Sequence, residues 1–266
     1  MGADIKSLRG RIRSVDSTLH LTTAMGLVAS SKIRRATQSM LRSREYASAM
    51  DEVVSVLRSS PECEGSPYMK PAGQGTRLIV IAGDRGLAGG YNANVFRLAA
   101  LYPDAGIIPL GKRACDRFGK AFRSSEHFTG EDAKRIADEQ CRDYLAGAYG
   151  RLGILYTRYR SMMTQEADII WVLPLTRTGP NGKAAPVFEP DEQTVLDTAV
   201  PAYVAGLLSA CVKESFASEV AARRMAMDSA GKNAQEMIDK LQLQYNRARQ
   251  NSITQEITEI VAGSGL

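Results

Sequence analysis

From residue 3 to residue 57 the chain has no proline, and small or apolar side chains recur at alternating steps of three and four. The stripe runs Ile5, Leu8, Ile12, Val15, Leu19, Thr22, Gly26, Ala29, Ile33, Ala36, Met40, Ser43, Ala47, Met50, Val54, Leu57. This is a heptad seam, and it predicts one helix of about 55 residues, roughly 80 Å long. No compact domain encloses such a rod. Large aliphatic residues line the first third of the seam, and its middle is small. A lone helix has nothing against which to bury that stripe, and small residues invite a second helix backbone close in.

The partner is expected at the other end. No proline follows Pro201, and a helical pattern continues from Leu207 and Leu208 through Val220, Ala234, Ile238 and Leu241 to Ile260. Two long ends predict an antiparallel coiled coil, with residues 1–60 pairing with 199–266. A bundle of bent helices is the alternative.

Between them, residues 76–174 alternate strand and helix. Leu78 to Ala82, Gly106 to Leu110, Gly153 to Tyr159 and Ile169 to Leu173 read as strands. Helices are expected over Asn92 to Leu101, Lys112 to Phe122 and Glu131 to Gly147, with Thr129 or Asp132 capping the last. This predicts a small α/β domain with a mainly parallel sheet. The segment 178–190 is turn-rich.

The first strand ends in GDRGLAGG, residues 83–90. Gly83, Asp84, Arg85, Gly86, Gly89 and Gly90 raise the question of a phosphate cradle. Their spacing is neither G-x-G-x-x-G nor G-x-x-x-x-G-K-[ST]. An opportunistic anion site at a helix N-terminus beside Arg85 stays open. The other reading is a tight strand-to-helix turn whose glycines allow positive φ and close packing.

Other chemistry is sparse. There is no G-x-S-x-G nucleophile pattern. Cys63, Cys115, Cys141 and Cys211 lack metal-ligand spacing, and two histidines, His20 and His127, do not complete a zinc site. Structural thiols in a reducing compartment are expected. No run approaches the roughly 18 apolar residues of a membrane span, and MGADIKS lacks a secretory or myristoylation pattern. The net charge of +5 permits nucleic acid, an anionic membrane surface or an acidic protein partner. Residues 1–50 carry nine Lys or Arg against three acidic residues.

Four stretches carry a resemblance over nearly the whole chain: TTAMGLVASSKIRRA (22–36), GDRGLAGGYNAN (83–94), FEPDEQTVLDTAVPAYV (188–204) and the segment 217–263 beginning ASEVAARRMAMDSAGKNA. In these the sequence resembles the gamma subunit of F-type ATP synthases. The resemblance implies an α/β fold with a long antiparallel coiled coil and an inserted Rossmann-like domain. It implies a rotor shaft inside an alpha3beta3 hexamer, with its foot on an epsilon subunit and a ring of c subunits. It also implies a location at the cytoplasmic face of a bacterial membrane, without insertion into it.

The resemblance implies no catalytic residue and no cofactor of the chain's own, because ATP, ADP and magnesium belong to the alpha and beta subunits. Met25, Arg223, Gln250 and Thr254 match positions implicated in contact with the beta subunit, whose acidic loop would suit a basic helix face. The glycine loop would then be a structural and interface turn.

Four positions depart from the family pattern. Gly83 and Ala88 replace a usual Ser and Cys in the loop. Gly26 stands where a Lys or other helix former is usual. An extra arginine makes the pair Arg223-Arg224. A stand-alone nucleotide-binding α/β protein with oligomerising helices is the competing reading, and a basic helical nucleic-acid binder is a third.

Overall fold

The computed structural model describes residues 2–120, 123–177 and 188–263. Most of the turn-rich segment 178–190 and the end of the expected helix 112–122 therefore lie outside the described residues. Helix α1 spans Gly2–Leu57 and α5 spans Glu192–Gly263. Between them come two short 3-10 turns, then β1 (Thr76–Ile81), α2 (Tyr91–Ala99), β2 (Gly106–Leu110), α3 (Lys112–Phe118), α4 (Gly130–Leu145), β3 (Arg151–Tyr159) and β4 (Gln165–Leu173). The chain divides into two compact units, residues 1–30 with 224–266, and residues 31–223. This division differs from the expected one: the central unit takes in the second half of α1 and the first part of α5.

In the smaller unit the two helices run antiparallel. Arg9 donates to the Tyr245 hydroxyl at 2.8 Å, Leu19 and Thr22 face Gly231, and Gly26 faces Met227. On α5 the side chains of Met227, Ala234, Ile238 and Leu241 are buried, at heptad steps. All sixteen residues of the α1 seam are buried or half-buried. Off-seam Leu21, Leu27, Val28, Leu41 and Val53 are exposed.

In the central unit the antiparallel pairing recurs. Gly206 leaves room for Tyr46, whose Cε1 would lie 2.8 Å from any Cβ there. The Tyr203 hydroxyl donates to Asp51 at 3.2 Å. The sheet has the order β2-β1-β3-β4. β1 is parallel to β2 and β3, and β3 and β4 form an antiparallel pair.

Side chains alternate along β1, as the pleat requires. Ile79 and Ile81 face a core shared with α4, the end of α1 and the start of α5, while Leu78 and Val80 face α2 and α3. A strand covered on both faces reads as a continuous apolar run. Helix α4 starts in a capping box that uses both expected residues: the Thr129 hydroxyl accepts from Asp132 N, and the Asp132 carboxylate accepts from Thr129 N.

Two expectations need correction. Helix α5 begins at Glu192, seven residues before 199, and runs through Pro201. Asp191 caps it by accepting from Thr194 N at 2.8 Å. Tertiary packing holds this first part in place: Leu196, Val200 and Val204 are fully buried. Helix α5 also contains an 18-residue stretch long and apolar enough to cross a membrane, with mean hydropathy 1.6, half of it buried in this structure. Its apolar character serves the core, where Leu208 and Cys211 pack with the sheet.

Candidate functional site

The glycine loop leaves β1 and turns into α2, and nearly every polar group around it is spent within the chain. The Asp84 carboxylate accepts from Lys112 N at 2.9 Å, at the start of α3, and from the backbone N–H groups of Ser125 and Glu126 at 3.0 Å. It also accepts the Ser124 hydroxyl at 2.6 Å. Burial alone would raise its pKa, but the Ser124 hydroxyl and these backbone amides outweigh burial and hold it below the ordinary aspartate range. An anion arriving at these amides finds them occupied by a carboxylate of the loop itself.

Close approach explains the glycines. A side-chain carbon at Gly83 would stand 2.7 Å from the Glu219 carboxyl carbon. Gly111, at the start of α3, takes φ 87°, and a Cβ there would fall 1.9 Å from the Ala82 carbonyl oxygen. Gly89 has φ 56°, and Leu87, the only non-glycine residue with positive φ among the described residues, takes φ 60° while exposed.

Both long helices grip this loop. On α5, Arg223 donates to the Gly86 carbonyl at 3.2 Å from two nitrogens and pairs with Glu219 at 2.5 Å. Burial raises the Glu219 pKa against the pull of Arg223, with the Asp84 charge adding to the rise. On α1, Lys32 pairs with Glu126 at 2.5 Å, and Arg85 of the loop reaches the same carboxylate at 3.4 Å. The Lys32 hydrogen bond is the main reason the Glu126 pKa is lowered.

A second junction lies one turn away. β1 pairs with β3 only as far as Leu155, so the edge of β3 beyond it needs other partners. Helix α5 supplies them. Thr157 N donates to the Ser215 hydroxyl at 2.9 Å, the Ser218 hydroxyl donates to Thr157 O at 3.1 Å, and Tyr159 N donates to Glu214 at 2.8 Å. Arg44 of α1 completes the set, pairing with Glu214 at 2.6 Å and donating to Tyr159 O. Glu214, Ser215, Ser218 and Glu219 are all buried. Sequence reading missed them; the signal was four polar residues on the inward side of an otherwise apolar helix.

The sequence-picked contact residues separate into two groups. Arg223 is held inside the central unit by Glu219 and the loop. Met25 is half-buried, and Gln250 and Thr254 are exposed one turn apart on α5, the Thr254 hydroxyl donating to Gln250 O at 3.0 Å. Around them Ile253, Ile257, Ile260 and Val261 are also exposed. Of the nine basic residues in 1–50, Arg9, Lys32 and Arg44 have the partners given above, and the remaining six are exposed.

All four cysteines are buried and unpaired. Burial pushes the thiol of Cys63 up to about 11 and that of Cys141 up to about 12, so both stay protonated near neutrality. No metal-binding cluster occurs among the described residues.

Antiparallel long helices, with a mixed α/β insert fastened to them by buried polar contacts, define a coiled-coil protein with an inserted α/β domain. The family model described as ATP synthase matches residues 4–265. The chain is 39% identical to the ATP synthase gamma chain of Ruminococcus albus and 36% identical to that of Geotalea uraniireducens, covering 98% of both partners in each case. Its fold is similar to a chain in the rotor of Euglena gracilis mitochondrial ATP synthase, with TM-score 0.69 and 18% identity over 95% of this chain and all of that one. A chain of the Tetrahymena thermophila central stalk and c-ring gives TM-score 0.62 and 20% identity, covering 79% of this chain and 99% of that one. The chain belongs to the ATP synthase gamma-chain family.

Proposed function

We propose that this chain is the central shaft of a rotary ATP synthase. In this reading the coil turns inside a hexamer of alpha and beta subunits, and the foot rests on an epsilon subunit and a c ring. The whole works at the cytoplasmic face of a bacterial membrane and couples ion flow to ATP synthesis or hydrolysis. The chain makes no chemical step itself; it presents different faces to three similar partners and shifts their conformations by differential contact. Nucleotide and magnesium belong to the partners.

The observation that carries this reading is the fate of the glycine loop. It is the chain's one phosphate-like motif, and Asp84, Glu219 and Arg223 use it to fasten the insert to the helices. The full-length similarity to gamma chains supports the same reading, as do the exposed basic residues of α1. Tagged chain isolated from source membranes in mild detergent should bring with it alpha- and beta-sized chains and ATPase activity, in a particle of several hundred kDa. A lone chain that binds nucleotide tightly would overturn the proposal.

A further inference from the structure

We propose that Glu214 is the pin that fixes the rotational register of the insert on the two long helices, and that with Arg44 it is a positioning residue for the coupling of ATP turnover to ion movement. One carboxylate joins three elements here. Its Oε1 accepts from Tyr159 N of β3 at 2.8 Å and from Arg44 Nη2 of α1 at 2.6 Å, and its Oε2 accepts from Arg44 Nε at 3.2 Å. The same Arg44 Nη2 donates to the Tyr159 carbonyl at 3.2 Å. Both backbone groups of the last residue of β3 are therefore taken, one by α5 and the other by α1. The Glu214 side chain is 8% exposed, and a two-pronged guanidinium–carboxylate pair in such a place has a narrow range of allowed geometry.

The packing around the pin does not set register by itself. Ala36, Met40 and Ala217 form a small apolar cluster, with Tyr159 and Phe216 against it. Apolar packing is non-directional, so it holds the helices near the sheet without fixing their angle about the coil axis. Directional bonds do that. Arg223 ties α5 to the Gly86 carbonyl and Lys32 ties α1 to Glu126, but each engages one helix. The Ser215 and Ser218 hydroxyls hold Thr157 from α5 alone. Glu214 engages both helices, and a twist of either one relative to β3 must break one of its bonds. The proposal rests on the rotor reading: load that reaches the insert passes to the coil through this node, and an insert that slips lets ATP be hydrolysed without ions being moved.

The test uses the full chain assembled with its alpha, beta, epsilon and c-ring partners in sealed vesicles. The number of ions moved per ATP hydrolysed is measured for wild type, Glu214→Ala, Glu214→Gln, Arg44→Met and Leu78→Ala, together with the unfolding temperature of each isolated chain. Loss of the pin lets slipped registers compete with the seated one, and Glu214→Ala should lower the ratio roughly twofold or more. Arg44→Met keeps the Tyr159 N bond and should lower the ratio by less; this variant decides the matter if the alanine chain does not assemble. Glu214→Gln can keep both bonds of Oε1 and should hold most of the wild-type ratio. Leu78→Ala empties a fully buried site inside the insert and lowers the unfolding temperature without touching the junction, so its ratio should stay at the wild-type value. An unchanged ratio in Glu214→Ala or Arg44→Met, or an equal fall in Leu78→Ala, would overturn the pin and leave the rotor reading standing. A wild-type chain that does not assemble with these partners would overturn the rotor reading and the pin with it.

Discussion

At the scale of single residues, Asp84 makes the clearest case. Its carboxylate holds three backbone N–H groups and one hydroxyl, at the start of α3 and on the turn over residues 124–126. Asp84→Asn keeps the shape and removes the charge, and should cost about 1–3 kcal/mol by chemical denaturation. The folded pKa lies below the unfolded one. The stabilisation is therefore complete above the ordinary aspartate range and is lost as pH falls through the folded pKa. The gap between wild type and variant should be constant from about pH 5 to 7 and close below about pH 4.

Gly111 is a sterner case. A Cβ 1.9 Å from the Ala82 oxygen, on a backbone with φ 87°, cannot be relieved by a rotamer change. Gly111→Ala should cost roughly 3 kcal/mol or more, read as a loss of soluble folded protein or a large drop in unfolding temperature. Sequence showed that this segment held glycine-rich turns. It did not show that Asp84 serves amides 28 to 42 residues away, because such pairing leaves no local pattern.

At the scale of elements, the seam separates buried from exposed positions within one helix. Met40 is 2% exposed and packs with Ala36 and Ala217, while its neighbour Leu41 is 49% exposed. Met40→Ala should cost about 2–5 kcal/mol, and Leu41→Ala should stay within about 0.5 kcal/mol on the isolated chain. Equal effects would mean the seam is misplaced.

The β3 junction predicts coupling. Removing Glu214 leaves the half-buried Tyr159 N without its acceptor and Arg44 with only Tyr159 O, at a cost of about 1–3 kcal/mol for Glu214→Ala, and a double-mutant cycle with Arg44→Ala should be non-additive. The α1 seam was legible because period 3.5 is a signature no other element shares. The start of α5 was not, because Pro201 argues locally for a break that tertiary packing overrides. The β3–β4 pairing was also hidden: β4 extends back to Gln165 through polar residues that alternate poorly.

At the scale of the whole molecule, polar side chains of both long helices are concentrated at the junctions with the insert, where Lys32, Arg44, Glu214, Ser215, Ser218 and Arg223 make their bonds. A shaft needs that distribution, since an insert loosely held by its helices would not turn with them. The central claim is that the insert and both helices rotate as part of one rotor. The exposed turn joining β3 to β4 offers a handle at Met163, which is 72% exposed. All four native cysteines are buried, so Met163→Cys takes a thiol-reactive probe selectively. With the alpha and beta subunits of the isolated complex fixed to a surface, the probe should rotate in one direction when ATP is added and stop when it is removed. A stationary probe on a complex that continues to hydrolyse ATP would contradict the account.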